Sequence, residues 1–339
     1  MRAMVGKLLT RTAQEIMTDP AVEEPMLIDG LMGGGLGFLC AAPKVGKSWL
    51  AMDISVRVAT GQPLWGHDVM RGCVLHMPLE DTYPRLRKRL WLIAEEVDGP
   101  LHFAIHAEAL GTGLMDQIDM FREEHPDLRL VVVDTLQMVR STLRDYSYAS
   151  DYRELSELKQ FADERGLTVL MVHHTRKMAD SDVMNMVSGT NGITGVADFT
   201  WVMAKDSRGS HDATLTVTGR DIEDRQLLLN FQDHRWRLVE EKTADDLAIE
   251  SVPADVTATI DWARANAPWE GRTGELMELV GVCGMKAATY GIHLAKHSRH
   301  MERCGIVYSK RHVNSGSVLS LELVGDGCDG CDGSIRVYT

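Results

Sequence analysis

The residues best suited to chemistry lie in AAPKVGKS at 41–48. A loop of the form G-x-x-x-x-G-K-[S/T] wraps phosphates with successive backbone N–H groups and the N-terminus of the following helix. Here Ala41 replaces the first glycine, while Gly46, Lys47 and Ser48 fit. A small residue suffices at that first position. Lys47 would neutralise the β and γ phosphates of ATP, and the Ser48 hydroxyl would ligate Mg2+. The expected cradle is Ala42, Pro43, Lys44, Val45, Gly46, Lys47, Ser48 and Trp49.

A second piece is LRLVVVD at 128–134, an apolar run ending in an aspartate. Downstream of a phosphate loop this is the Walker B pattern, and Asp134 would hold Mg2+ beside Ser48. The next residue is Thr135, not a carboxylate, so the base that polarises water must come from elsewhere. CVLHMPLED at 73–81 supplies Glu80 at the carboxyl end of the preceding strand, the edge where open parallel sheets bind ligands. The competing reading makes Glu80 and Asp81 a capping pair for the next helix. LTVLMVHHTRK at 167–177 ends another strand with two histidines. Adjacent strand residues point to opposite faces, so the two do not make a metal pair. One can face the nucleotide, and His174 is taken as that one.

These groups need a scaffold. Apolar runs at 37–41, 73–79, 102–107, 128–134 and 167–173 alternate with helical patterns at 48–60, 82–97, 114–124 and 149–165. That alternation predicts an α/β fold with a mostly parallel central sheet. Runs at 199–205, 213–219, 226–232 and 234–240, joined by short links, predict antiparallel strands completing it. Residues 1–240 form the expected ATPase domain. Segment 241–252, in the acid-rich run EEKTADDLAIESV, is the expected linker. In 253–324, helical patterns at 255–267, 273–281 and 286–304 precede two strands around Asn-Ser-Gly, the order of a small winged helix. The tail 325–339 carries GDGCDGCDG and is expected to be flexible.

The chain resembles the RecA-type ATPases, and most closely the RepA-like hexameric replicative helicases of plasmids and phages. The resemblance runs from LIDGLMGGGLGFLCAAPKVGKSWLA through ATGQPLWG, LHMPLED, LVVVDT, VLMVHHTRK and VTGRD, covering roughly 25–240 in order. It implies Mg-ATP hydrolysis with Glu80 as the catalytic glutamate and His174 as the phosphate sensor. It places an arginine finger at Arg220, in TGRD at 218–221, with Lys205 and Arg208 as rivals. It also implies a homo-oligomeric, hexameric ring around single-stranded DNA, acting as a helicase or helicase loader in replication of a mobile element. A replication initiator or other replisome proteins would be partners. Two channel-facing loops would follow the Walker B and sensor strands. The first, 136–152, holds Arg140, Arg144, Tyr146 and Tyr148; the second, 175–195, holds Arg176 and Lys177. Arginine with interleaved tyrosine suits single strands, by phosphate pairing and base stacking. The rival functions are a RecA-type recombinase filament and an ATP-switched DNA-binding regulator working through the winged helix.

Composition bounds these readings. With 36 basic and 49 acidic residues the net charge is −13, so nucleic acid would be held only by local basic patches. In 253–316, eight Lys and Arg stand against six Asp and Glu, so the acidity lies elsewhere. Lys286, Lys296, Arg299, His300, Lys310 and Arg311 could meet a duplex there, or the module could bind protein. The longest uncharged apolar stretch, 31–42, is too short and too rich in glycine to span a membrane. The N-terminus lacks the apolar core of a signal peptide. Six cysteines at 40, 73, 283, 304, 328 and 331 are too scattered for a disulfide framework, and a reduced, cytoplasmic protein is expected. The Cys328–Cys331 pair lacks a second pair for a four-ligand zinc site.

Overall fold

A computed structural model of the chain describes residues 10–18, 26–140, 148–175, 195–205, 207, 209–250, 252–313 and 316–323. It divides into two units, 1–243 and 244–339. Among the described residues no helix is long and apolar enough to cross a membrane.

The first unit begins with a short helix, α1 (Ala13–Met17), capped by a Thr12–Glu15 box. Its centre is a nine-stranded sheet in the order β3-β2-β4-β5-β1-β6-β7-β8-β9. The parallel strands are β1 (Gly35–Ala41), β2 (Cys73–Pro78), β3 (Leu101–Phe103), β4 (Leu128–Asp134), β5 (Thr168–His174) and β6 (Phe199–Ala204). The antiparallel extension is β7 (Asp212–Gly219), β8 (Arg225–Gln232) and β9 (Arg235–Lys242). Strand β1 is buried at every residue, as a central strand covered on both faces must be. Strand β7 alternates buried and half-buried positions, the signature of a one-sided strand.

Helix α2 (Lys47–Thr60) packs Leu50, Ala51, Ile54 and Val58 into the core on one face of the sheet. Helix α3 (Tyr83–Ile93) meets α2 through Leu86 and Ile93. On the other face, α4 (Leu114–Glu124) and α6 (Tyr148–Arg165) pack Leu114, Ile118, Leu155, Leu158 and Phe161 against the strands. A single turn, α5 (Leu136–Val139), follows β4, and α6 begins at 148, so both ends of the expected 136–152 loop are helical.

Other elements also differ from expectation. The 102–107 run pairs for only three residues, because β3 is an edge strand and the register ends at His76↔Phe103. The 82–97 helix stops at Ile93, with Ala94 extended. Strands β8 and β9 are joined by Asp233 and His234, both at positive φ (51° and 62°), the backbone a two-residue hairpin turn demands.

The second unit contains α7 (Ala244–Glu250), α8 (Ala254–Asn266), β10 (Trp269–Gly271), α9 (Thr273–Val280), α10 (Ala287–Lys296), α11 (Ser298–Arg303), β11 (Ile306–Val313) and β12 (Gly316–Leu323). The acidic segment 241–252 thus carries the end of β9 and a helix. Gln226 still pairs with Lys242, and Asp245 and Asp246 fall in the first helical turn, where the helix dipole favours anions. The three strands form an antiparallel sheet in the order β10-β12-β11. Strand β10 is an addition to the expected order, and the expected 286–304 helix is two helices meeting at His297. Val256, Ile260, Leu276, Tyr290, Leu294, Met301, Leu319 and Leu321 form the core, where the Thr259 hydroxyl and Tyr290 phenol share a buried 2.5 Å hydrogen bond.

Candidate active site

Four parallel strands, β1, β2, β4 and β5, end at one edge of the sheet, and that edge gathers the predicted groups. Ala41 ends β1, with His174 as its register partner at the end of β5. Pro78 of β2 pairs with Asp134 of β4, and Glu80 lies two residues past Pro78.

The phosphate loop turns through Lys44 (φ 67°) and Gly46 (φ 118°) before α2 begins at Lys47. The first N–H groups of α2 have no partner within the helix, so the loop presents a concave row of donors at a positive helix end. Gly46 is required twice over. Its backbone is left-handed, and a Cβ would lie 3.0 Å from the Trp236 ring. Trp236 of β9 is buried and donates Nε1–H to the Gly46 carbonyl at 3.3 Å, so it backs the loop. Trp49 is half-buried, stacks on His234 at 5.0 Å between ring centroids, and carries the Arg89 guanidinium 5.4 Å above its ring.

Lys47 is buried, and its ammonium folds onto the loop. Nζ donates to the Ala41 carbonyl (2.7 Å), the Ala42 carbonyl (3.2 Å) and Nδ1 of His174 (3.1 Å). Burial pushes its pKa down to about 8, against the opposing pull of Asp134, Cys40 and Glu80. An ammonium only donates, so His174 accepts at Nδ1 and its ring is the neutral Nε2–H tautomer. Burial and the Lys47 charge hold the His174 pKa below the ordinary imidazole value, which agrees. Beside it, the buried Thr175 hydroxyl has no hydrogen-bond partner among the described residues, while Thr175 N–H donates to Ala41.

Asp134 is buried, which raises its carboxyl pKa; a hydrogen bond from Ser48 and the charge of Lys47 act against that rise. The Ser48 hydroxyl and the Asp134 carboxylate are thus in direct contact, a pair of hard oxygen donors that fits Mg2+. Glu80 is exposed at the mouth, and its Oε1 accepts from the Thr135 hydroxyl at 2.9 Å. Asp81 is held differently, although no side chain caps the first N–H groups of α3. It accepts from Thr82 N–H and pairs with Arg85 (3.2 Å) and Arg89 (2.5 Å). The two adjacent carboxylates are therefore held by different partners, Glu80 by Thr135 and Asp81 by Arg85 and Arg89.

Arg220 is not in this group. Strand β7 runs antiparallel to β6, and Gly219 pairs with Phe199, the first residue of β6. Arg220 therefore stands at the amino edge of the parallel strands, about 15 Å of strand from the phosphate loop. It is exposed, 3.6 Å from Asp198, and donates to the Gly195 carbonyl. Lys205 stands at the opposite end of the β6–β7 hairpin, on the nucleotide edge, 5.0 Å above the Trp236 ring. Arg140 is half-buried just after α5. Arg144, Tyr146, Arg176, Lys177 and Arg208 lie outside the described residues.

Sequence reasoning missed Thr135 as the partner of Glu80, and Trp236 as the support of Gly46. Thr135 was visible only as a non-carboxylate. Trp236 has no motif; its contact spans 190 residues.

A phosphate loop on a six-stranded parallel core with an antiparallel extension, and an acid pair on adjoining strands, define a RecA-type phosphate-loop ATPase fold. Comparisons agree. The family described as AAA domain matches residues 7–180, more than half of the chain, and the chain belongs to it. No curated protein matches significantly. A solved structure described as an ATPase domain aligns with a TM-score of 0.51 at 13% identity, over 61% of this chain and 85% of that one. A DnaB-like replicative helicase, solved with attention to its interactions with primase, aligns with a TM-score of 0.50 at 14% identity, over 60% of this chain and 57% of that one. At such identities these two report shared fold.

Proposed function

We propose that the first unit hydrolyses Mg-ATP and couples that cycle to single-stranded DNA, as a ring-forming helicase or helicase loader in replication of a plasmid, phage or other mobile element. The observation that carries the reading is the convergence of Lys47, Ser48, Asp134, His174 and Thr135-bound Glu80 at one sheet edge. The likeness in fold to a replicative helicase supports the choice among ATPases.

The phosphates of ATP lie against the N–H groups opening α2. The Lys47 ammonium exchanges the Ala41 and Ala42 carbonyls for phosphate oxygens. Mg2+, held by Ser48 and Asp134, would neutralise charge on the β and γ phosphates. Glu80, held by the Thr135 hydroxyl, accepts a proton from water as its oxygen bonds to the γ-phosphorus and the bond to ADP breaks. His174 loses its Lys47 partner when ATP arrives, which gives the 175–195 segment a signal of occupancy. The second unit serves as a winged-helix-like contact module for duplex DNA or a replication protein.

The test is ATP turnover by the full chain, with and without single-stranded DNA, alongside native mass with ATP. Turnover lost in Lys47→Ala and stimulated by DNA in a closed oligomer supports the reading. Turnover that DNA leaves unchanged would favour the regulator; open filaments would favour the recombinase.

A further inference from the structure

At the other edge of the sheet lies a cluster that the nucleotide site does not use. Cys73 opens β2, His102 is the middle residue of β3, and His125 caps the C-terminus of α4. Cys73 is buried and both histidines are half-buried. One ligand atom from each can be chosen so that all three lie within 4.8 Å of one another. The imidazole centroids are 4.3 Å apart, tilted by 46°, with Phe121 against both rings. Among the described residues neither imidazole has a hydrogen-bond partner. The Asp127 carboxylate, just beyond His125, is close enough to act on both Cys73 and His102.

We propose that Cys73, His102 and His125 bind a zinc ion that pins the short edge strand β3 and the end of α4 to β2, with water as fourth ligand. Thiolate and imidazole suit zinc, whereas the oxygen pair at Ser48 and Asp134 suits Mg2+. Tetrahedral zinc with bonds of about 2.0–2.3 Å separates its ligand atoms by roughly 3.3–3.6 Å. The cluster therefore closes by about 1 Å, within reach of side-chain rotation in two half-buried imidazoles.

The topology explains why a clamp is useful here. Strand β3 has three residues and one neighbour, too little ladder to hold an edge firmly. The three ligands come from β2, β3 and α4, so one ion ties three elements together. Binding releases the Cys73 thiol proton to solvent. The five residues from Cys73 to Pro78 put the ion about 17 Å from the nucleotide edge, so it is separate from the Mg2+ site.

The test titrates zinc, and cobalt as its spectroscopic substitute, into the untagged, metal-stripped full chain. One equivalent is expected, with a thiolate-to-cobalt charge-transfer band and a zinc-dependent rise in Tm. Cys73→Ser should abolish the band. His102→Asn and His125→Asn should each weaken zinc by more than the roughly 10–100-fold that loss of an outer-sphere partner costs. The double substitution Cys328→Ser with Cys331→Ser should keep the full equivalent, which separates this site from the tail cysteines. No stoichiometric binding by the wild-type chain overturns the proposal. So does binding that survives His125→Asn but is lost with the tail cysteines. His125 is half-exposed, so that variant remains informative if Cys73→Ser does not fold.

Discussion

Replacing Lys47 by methionine should stabilise the nucleotide-free protein. Burial lowers the Lys47 pKa from 10.5 to about 8. Those 2.5 units correspond to about 3 kcal/mol, the cost of holding the ammonium in the fold at neutral pH. Methionine keeps the length and removes the charge. It also withdraws a donor from Ala41, Ala42 and His174, at about 1 kcal/mol, because the buried Ala41 carbonyl still accepts from Thr175 N–H while Ala42 and His174 are only half-buried. The net expectation is a gain of about 2 kcal/mol at pH 7, or roughly 4–8 °C in Tm for a unit of this size.

The pH dependence gives the sharper test. Below pH 8 both folded and unfolded Lys47 are protonated, so the full cost is present. Between pH 8 and 10.5 the folded state releases its proton while the unfolded state keeps it, so the wild type gains stability as pH rises. The advantage of Lys47→Met should therefore shrink by about 2 kcal/mol between pH 7 and 9.5. Denaturant unfolding of both proteins at the two pH values measures this. Mg-ATP should stabilise only the wild type. A variant less stable than wild type at pH 7 would refute the reasoning, since the lysine's hydrogen bonds would then outweigh its burial. A difference constant with pH would show that Lys47 is not desolvated.

Glu80→Gln should bind ATP normally and lose at least about 100-fold in kcat, measured by nucleotide binding alongside phosphate release; wild-type turnover would move the base elsewhere. Thr135→Val should lower kcat by about tenfold with little change in KM, because it frees Glu80 without touching the phosphate cradle; an equal loss in KM would argue against a positioning role. Gly46→Ala should cost on the order of 1–3 kcal/mol from its left-handed backbone, and ATP binding with it; unchanged unfolding would mean that the loop leaves the left-handed region at no cost. For the trans cation, Arg220→Ala and Lys205→Ala should differ: a true finger loses about 10³–10⁵ in rate, and mixing that variant with Glu80→Gln should restore some turnover through mixed junctions. Arg220→Ala at full activity would leave Arg220 as a structural partner of Asp198 and the Gly195 carbonyl.

What the sequence made legible was local. The phosphate loop needs eight consecutive residues between a strand and a helix, and each of those signals is contiguous. Asp134 and His174 were legible because a parallel strand ends where its apolar run ends, and register then places both at one edge. The Glu80 and Asp81 ambiguity could not be resolved that way. Two adjacent carboxylates at a helix start look alike until Arg85 and Arg89 take one and Thr135, 55 residues from Glu80, takes the other.

Arg220 follows an apolar run just as Asp134 does, yet β7 is antiparallel, so the end of its run falls at the opposite edge from the phosphate loop. The short links around 213–219 already imply that reversal, and the Phe199↔Gly219 register fixes the edge at which Arg220 stands. Strand β6 runs parallel to β1 and ends at the nucleotide edge, which puts the hairpin beginning at Lys205 beside Trp236 and hence beside Gly46. A cation reaching a neighbour's nucleotide from the edge that already holds a nucleotide needs a lateral contact between like edges. A cation at the amino edge needs a contact between unlike edges. In the proposed ring, the two substitutions therefore test more than the identity of one residue: they decide which edges of neighbouring subunits meet.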